Sequence, residues 1–339
     1  MAPLRVVVTR GPLVESAHRV SAAVVDASGR LVASAGDPQL VTFWRSAAKP
    51  FQVLPLLQDG AVERFGLTAE ELAIACASHS SEPIHLETVD RFLAKLALDE
   101  SALACGPHTP LGPETARRVA REGIVMTPRW SNCSGKHTGM LALAKCHGWP
   151  AAGYEAVGHP VQERIIAEVE RWTGLGRDEL ILTVDGCNTT CFGLPLDAMA
   201  LAYARFATST DIEPRRLWRA VTNHPDLVAG SKRLCTDLMQ AWPGEVFAKI
   251  GAEGVYSAAL PGLGLGIAIK VEDGDMPSVG IALLAVLRAL LERAGHAEGL
   301  RRIDSLTQHR EIPVRTTRGA TVGAIRADGE LTFSAPVGG

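Results

Sequence analysis

Ser46 and Lys49 stand three residues apart in the string Arg45-Ser-Ala-Ala-Lys-Pro50. A proline is tolerated in the first turn of a helix, where its missing N–H has no partner to lose, and is costly further in. The helix therefore starts close to Ser46, and residues three apart share a face, so hydroxyl and amine come within reach. Serine is a poor nucleophile until a base takes its proton. Lysine serves as that base once its pKa falls from about 10.4 toward 7, equivalent to roughly 4 to 5 kcal/mol. Burial and a neighbouring cation supply such shifts, and a helix N-terminus favours an oxyanion or a substrate carboxylate. A serine ahead of a helix is more often only an N-cap, so the pair needs support from the rest of the chain.

Ser78 lies in a hydroxyl-rich string, Cys76-Ala-Ser-His-Ser-Ser-Glu82, between two helical patterns. Ser81, ahead of Glu82 and Pro83, reads as a cap. Far downstream, Lys249 and Gly251 form a Lys-x-Gly that, on a strand edge beside a Ser-x-x-Lys helix, completes the site of penicillin-recognising serine enzymes. Alone it is a weak signal. The densest polar stretch is Ser131-Asn-Cys-Ser-Gly-Lys-His137, and the next is Asp185-Gly-Cys-Asn188. Trp130 and His137 occupy positions where a phosphate loop needs Gly and Ser or Thr, which rules that loop out. Cys133 and Cys187 read either as two thiolate ligands of one Zn²⁺ or, as the more ordinary alternative, as buried free thiols. On spacing alone His137, four residues after Cys133, is the orthodox third ligand. The Gly262-Leu-Gly-Leu-Gly266 string precedes a strand, so it is no dinucleotide loop.

The elements that must position these groups follow from periodicity. Residues 20–26 and 31–35 read as a hairpin, 266–272 as a strand, 279–294 as an apolar-striped helix, and 321–326 with 330–333 as a second hairpin. Helical patterns cover 69–76, 82–96, 113–122, 136–146, 160–173 and, in two pieces, 215–242. The expectation is an α+β fold: an antiparallel sheet from both termini, flanked by helices, with a helical region over about 60–245, all in one catalytic domain spanning 1–339.

Composition narrows the function classes. The 339 residues are 47% hydrophobic and 21% charged, ample material for a core. A formal net charge of −3 and the lack of any Lys/Arg run argue against nucleic acid and membrane partners and for a small molecule. No apolar stretch reaches transmembrane or signal-peptide length. Seven scattered cysteines do not form a disulfide framework and suit a reducing, cytoplasmic setting.

Six strings in one order, Val14-Glu-Ser-Ala-His-Arg19, Arg45 to Pro50, Cys76 to Glu82, Ser131 to His137, Asp185 to Asn188 and Lys249-Ile-Gly-Ala-Glu-Gly254, resemble the asparaginase II family, the class 3 L-asparaginases, over nearly the whole chain. The resemblance implies a fold similar to serine β-lactamases, hydrolysis of L-asparagine to L-aspartate and ammonia, two Ser-Lys tandems near a zinc site, and a homodimer. It puts Ser46 with Lys49 in the first tandem and Ser78 with Lys249 in the second, with Lys270 the competitor of Lys249. It assigns Zn²⁺ to Cys133, Lys136 and Cys187 with water as a fourth ligand, although a lysine ligand must first lose its proton. It sets Arg45, Asp185 and His137 near the substrate. A guanidinium at Arg45 suits the α-carboxylate, and the Asp185 carboxylate suits the α-ammonium. On this expectation Ser46 attacks, Lys49 takes its proton, Ser78 and Lys249 relay protons, and the serines can exchange roles. A β-lactamase or peptidase of similar fold needs no zinc cluster, and a non-catalytic zinc or amino-acid-binding protein would release no ammonia.

Overall fold

The computed structural model describes residues 3–337. The chain divides into two compact units. The first comprises the chain up to Ala47, Leu194–Thr208 and the chain from Ala248 onward; the second comprises Ala48–Gly193 and Ser209–Phe247.

In chain order the strands are β1 (Arg5–Arg10), β2 (Leu13–Asp26), β3 (Leu31–Ala35), β4 (Val41–Phe43), β5 (Ile181–Val184), β6 (Thr190–Pro195), β7 (Phe247–Ile250), β8 (Val255–Leu260), β9 (Leu265–Val271), β10 (Glu311–Arg315), β11 (Thr321–Asp328) and β12 (Thr332–Phe333). Nine of them form the sheet of the first unit, in the order β10-β11-β1-β2-β9-β8-β7, with β3 on β2 and β12 on β3. Both termini thus feed one sheet, and β2 runs antiparallel to β1, β3 and β9. Every residue of β9 is buried. The helices Leu196–Thr208 and Met276–Arg293 both pack on it, which is why its sequence is apolar throughout except at Lys270; each Ile, Leu or Val so buried contributes about 1.5–3 kcal/mol.

The hairpin expected at residues 20–35 is present. That expected from 321–326 with 330–333 is not: β11 is flanked by β10 on one side and β1 on the other. No ladder position on β11 is left for β12, which instead covers the free edge of β3.

The second unit is helical, with β5 and the start of β6 forming an antiparallel ribbon. Its helices include Lys49–Gln58, Ala69–Ala75, Pro83–Lys95, Pro113–Glu122, Ser134–His147, Pro160–Thr173 and Ile212–Asn223. Local signals set their starts. Pro50 sits in the first turn of Lys49–Gln58, and Thr68 with Glu71 forms a capping box ahead of Ala69–Ala75. The expected two-piece helix at 215–242 is three, Ile212–Asn223, Pro225–Val228 and Leu234–Ala241, because Pro225 cannot continue the first. Ser134 through Ala144 are buried without interruption, so this helix has no solvent-exposed face along its first eleven residues and holds the middle of the unit. Among the described residues no helix is long and apolar enough to cross a membrane.

Candidate active site

Four segments of the second unit converge. Lys49, at the start of its helix, is 1% exposed. Its Nζ donates to the carbonyl of Ala77 and lies 3.2 Å from Ser78 Oγ and 3.1 Å from Cys133 Sγ. Ser78 follows the helix Ala69–Ala75, where its own N–H donates to Val228 O at 3.0 Å, fixing the backbone. Cys133 is the residue at the N-terminus of the helix Ser134–His147. One turn on, Lys136 Nζ reaches Cys187 Sγ at 3.0 Å and Thr189 Oγ1 at 2.6 Å.

Cys187 sits in the turn between β5 and β6. That turn is closed by Asn188 N–H to Asp185 O (2.9 Å) and Asp185 N–H to Thr189 O (2.8 Å), with Asn188 in the left-handed region at φ 74°, a conformation asparagine tolerates better than most residues. The Asp185 carboxylate accepts from the N–H of Gly186 at 2.7 Å.

The charges in this cluster are set by proximity. The hydrogen bond between the Cys133 and Cys187 sulfurs, with Lys136 alongside, holds the Cys187 thiol far below the ordinary range. The same hydrogen bond, together with burial, holds Cys133 well above it, as the thiol. Burial opposes a charge on Lys136, but the Cys187 and Cys133 sulfurs overcome it and keep the ammonium. Burial lowers His137 below its ordinary value, against the opposing pull of the Cys187 sulfur. The nearby Cys105 thiol is pushed up to about 11, chiefly by burial.

Two thiols and an amine in one buried place suit a borderline-soft cation such as Zn²⁺. Among the described residues no trio of His, Cys, Asp and Glu side chains is gathered closely enough to hold a metal, so a metal here would depend on the Lys136 amine as third donor beside Cys133 and Cys187. Neither Cys133 nor Cys187 is in a disulfide, leaving both thiols available. His137, the orthodox third ligand on spacing, engages Tyr154 instead: its Nδ1 is 2.6 Å from Tyr154 Oη.

The remaining expected residues belong to the first unit. Arg45 and Ser46 lie in the 3₁₀ turn Arg45–Ala48, half-buried. Arg45 is held at φ 53°, strain of the kind that concentrates at functional sites. Lys249, on β7, is 1% exposed and donates to Ile250 O at 2.9 Å. Lys270, on β9, donates to the Glu253 carbonyl, is pushed down by burial, and lines a cavity of about 750 Å³ with Arg19, Thr42, Glu272 and Asp273.

Thr189 and Tyr154 are members of the cluster that sequence reasoning misses. Thr189 carries a signal, two residues after Cys187 in a turn string; Tyr154 carries none, because it lies outside every motif string, 17 residues after His137.

Among solved structures, this chain is similar to one described as Mglu in its native form in the presence of 4.3 M NaCl: 18% identity, TM-score 0.36, covering 82% of this chain and 61% of that one, so that this chain spans less than two thirds of its length. It is also similar to a β-lactamase from Mycobacterium bovis (13%, TM-score 0.33, 79% and 94% covered). A third is EstCE1, described as a hydrolase with promiscuous acyltransferase activity (10%, TM-score 0.41, 78% and 92% covered). No curated protein matches. The family profile described as L-asparaginase II matches residues 6–327, nearly the whole length, and the chain belongs to that family.

Proposed function

We propose that the protein is an L-asparagine amidohydrolase, converting L-asparagine and water to L-aspartate and ammonia through a Ser-Lys pair beside a zinc site. Family membership supports amide hydrolysis. The observation that carries the reading further is the buried Lys49 amine, 3.2 Å from the Ser78 hydroxyl and 3.1 Å from the Cys133 sulfur. A primary amide is an unreactive carbonyl and needs an activated nucleophile and an acid for the departing ammonia.

A serine oxygen attacks the side-chain carbonyl carbon and its proton passes to the lysine amine. The tetrahedral intermediate collapses with cleavage of the C–N bond, and the lysine returns the proton to the leaving nitrogen. Water then hydrolyses the serine ester by the same proton route, giving L-aspartate. Lys49 is the base in this proposal. Ser46 is the nucleophile and Ser78 the relay, with their roles open to exchange. The parts of Ser46, Arg45 and Lys249 rest on the sequence resemblance, and those of Lys49 and Ser78 also on the geometry. Asp185 and His137 bind the amino-acid end of the substrate. Cys133, Lys136 and Cys187 would hold Zn²⁺, which when bound supplies a fixed positive charge beside the substrate. The test is direct: purified protein is incubated with L-asparagine and ammonia is assayed. Absence of ammonia release, with or without added zinc, overturns the proposal.

A further inference from the structure

We infer that Tyr154 locks the His137 imidazole in the tautomer carrying its proton on Nε2, which makes His137 a hydrogen-bond donor in the cluster and removes it from the metal's ligands. Tyr154 is then a positioning residue, acting through His137 in the same cluster as the proposed reaction.

Donor counting fixes the tautomer. The N–H of Ala104 lies 3.0 Å from Tyr154 Oη, and a backbone N–H can only donate. The phenolic proton therefore has to find an acceptor elsewhere. Among the described residues the one other hydrogen-bonding neighbour of that oxygen is His137 Nδ1, at 2.6 Å. Tyr154 is itself 1% exposed, so water is no substitute. Tyr154 O–H donates to Nδ1, Nδ1 is an acceptor, and the proton of the neutral ring sits on Nε2. The rings meet edge to face, with centroids 5.6 Å apart, which keeps Nδ1 on the hydroxyl.

His137 Nε2 is fully buried; its polar neighbour is the Cys187 sulfur, and no partner stands at full hydrogen-bond geometry among the described residues. A protonated Nε2 has no lone pair to give a metal. A buried donor facing only a weak sulfur acceptor is under-satisfied, and an oxygen of a bound carboxylate or amide would complete its hydrogen bonding. The three-residue relay from Ala104 through Tyr154 to His137 thus decides between the two roles that spacing left open, in favour of donor over ligand.

The test is long-range ¹H–¹⁵N spectroscopy on protein labelled at histidine, with His137 assigned by comparison with His137→Gln. In the metal-free wild type, an unprotonated Nδ1 and a protonated Nε2 are expected; a protonated Nδ1 overturns the inference. Zinc added alone should leave the Nε2 proton in place, and its loss on zinc addition overturns the inference equally. In Tyr154→Phe the two nitrogens should move toward averaged signals, and an unchanged pattern shows that Tyr154 is no lock. Should that variant not fold, the two wild-type measurements still decide. Tyr154→Phe should also lower kcat/KM for L-asparagine about tenfold at unchanged zinc content, as outer partners of such sites do; an unchanged kcat/KM overturns the positioning role. A protein inactive on L-asparagine would sink the proposed function, and the nitrogen signals of the wild type would still decide the tautomer by themselves.

Discussion

Lys49 Nζ and Ser78 Oγ are 3.2 Å apart in a place where the serine is 3% and the lysine 1% exposed. The same amine touches Cys133 Sγ at 3.1 Å, so one side chain joins the hydroxyl part of the site to the thiol part. In the sequence the natural partner of Lys49 is Ser46, and the bond to Ser78 is what folding adds.

That bond makes the two serines separable by experiment. Ser46→Ala should abolish ammonia release from L-asparagine while leaving bound zinc unchanged, since the serine is no ligand. Ser78→Ala, which removes one route for the proton, should lower kcat by roughly 10²–10⁴. Lys49→Met should remove activity altogether and also lower stability by about 1–3 kcal/mol, because Ala77 O loses its buried donor. Full turnover in Ser78→Ala would reduce the contact to a structural one.

Zinc content measured by atomic absorption tests the thiol pair. Cys133→Ser and Cys187→Ser should each lose the metal. Lys136→Met should lose it too, since without the amine only two donors remain. Cys146→Ser is the control: that thiol is half-buried and donates to Asp59 O at 3.4 Å, and its loss should leave zinc untouched. Zinc retained in Cys187→Ser would show that the sulfurs are not ligands.

Much of this site is legible in the sequence because its groups come in short strings. Cys133 and Lys136 share one such string, although spacing alone favours His137 as the partner of Cys133 and the family resemblance is what selects Lys136. Periodicity likewise locates the helices Pro113–Glu122 and Pro160–Thr173, whose buried apolar residues recur at helical spacing. What spacing does not supply is partners brought by tertiary packing. Lys49 to Cys133 spans 84 residues, and Lys136 to Thr189 spans 53. β12 pairs with β3 rather than with the neighbour its spacing suggests for a similar reason: two residues carry no register information, and which edge stands free is decided by the whole sheet.

The β2–β3 turn offers a pH test away from the site. Asp26 accepts from the Ser28 hydroxyl at 2.6 Å and from the N–H groups of Ser28 and Arg30 at 2.9 and 3.1 Å. The Ser28 hydroxyl is the largest cause of a carboxyl lowered from 3.8 to about 2, against the opposing effect of burial, with the Arg30 side chain next. A carboxylate with a depressed pKa stabilises the fold above its unfolded value and loses that contribution as pH falls through the folded one. Solvent screening limits the contribution to about 1 kcal/mol. Wild type should thus exceed Asp26→Asn by about that amount in urea unfolding at neutral pH, and the gap should close between pH 3.8 and about 2. A constant gap over that window would mean that the turn does not depend on the charge.

Gly135 shows how closely the helices that carry the site must approach. A Cβ built there would stand 2.2 Å from Ile74 O and 2.6 Å from Ile74 C, both backbone atoms, so the helices Ala69–Ala75 and Ser134–His147 would have to part. The second bears Lys136 and follows Cys133, and the first leads into Ala77 and Ser78. Replacing glycine by alanine inside a helix ordinarily stabilises by about 0.5–1 kcal/mol. Overpacking costs about 1–3 kcal/mol or more, so the clash should win and Gly135→Ala should lower both stability and zinc content. Gly139, one turn along the same helix, separates the two effects: its Cβ would meet Leu56 Cδ1 at 3.1 Å, the end of a flexible side chain that can move aside. Gly139→Ala should therefore fall within about 0.5 kcal/mol of wild type in urea unfolding. Equal losses in the two variants would show that the cost is not contact with the Ile74 backbone, and the positioning of Cys133 against Ser78 would need another cause.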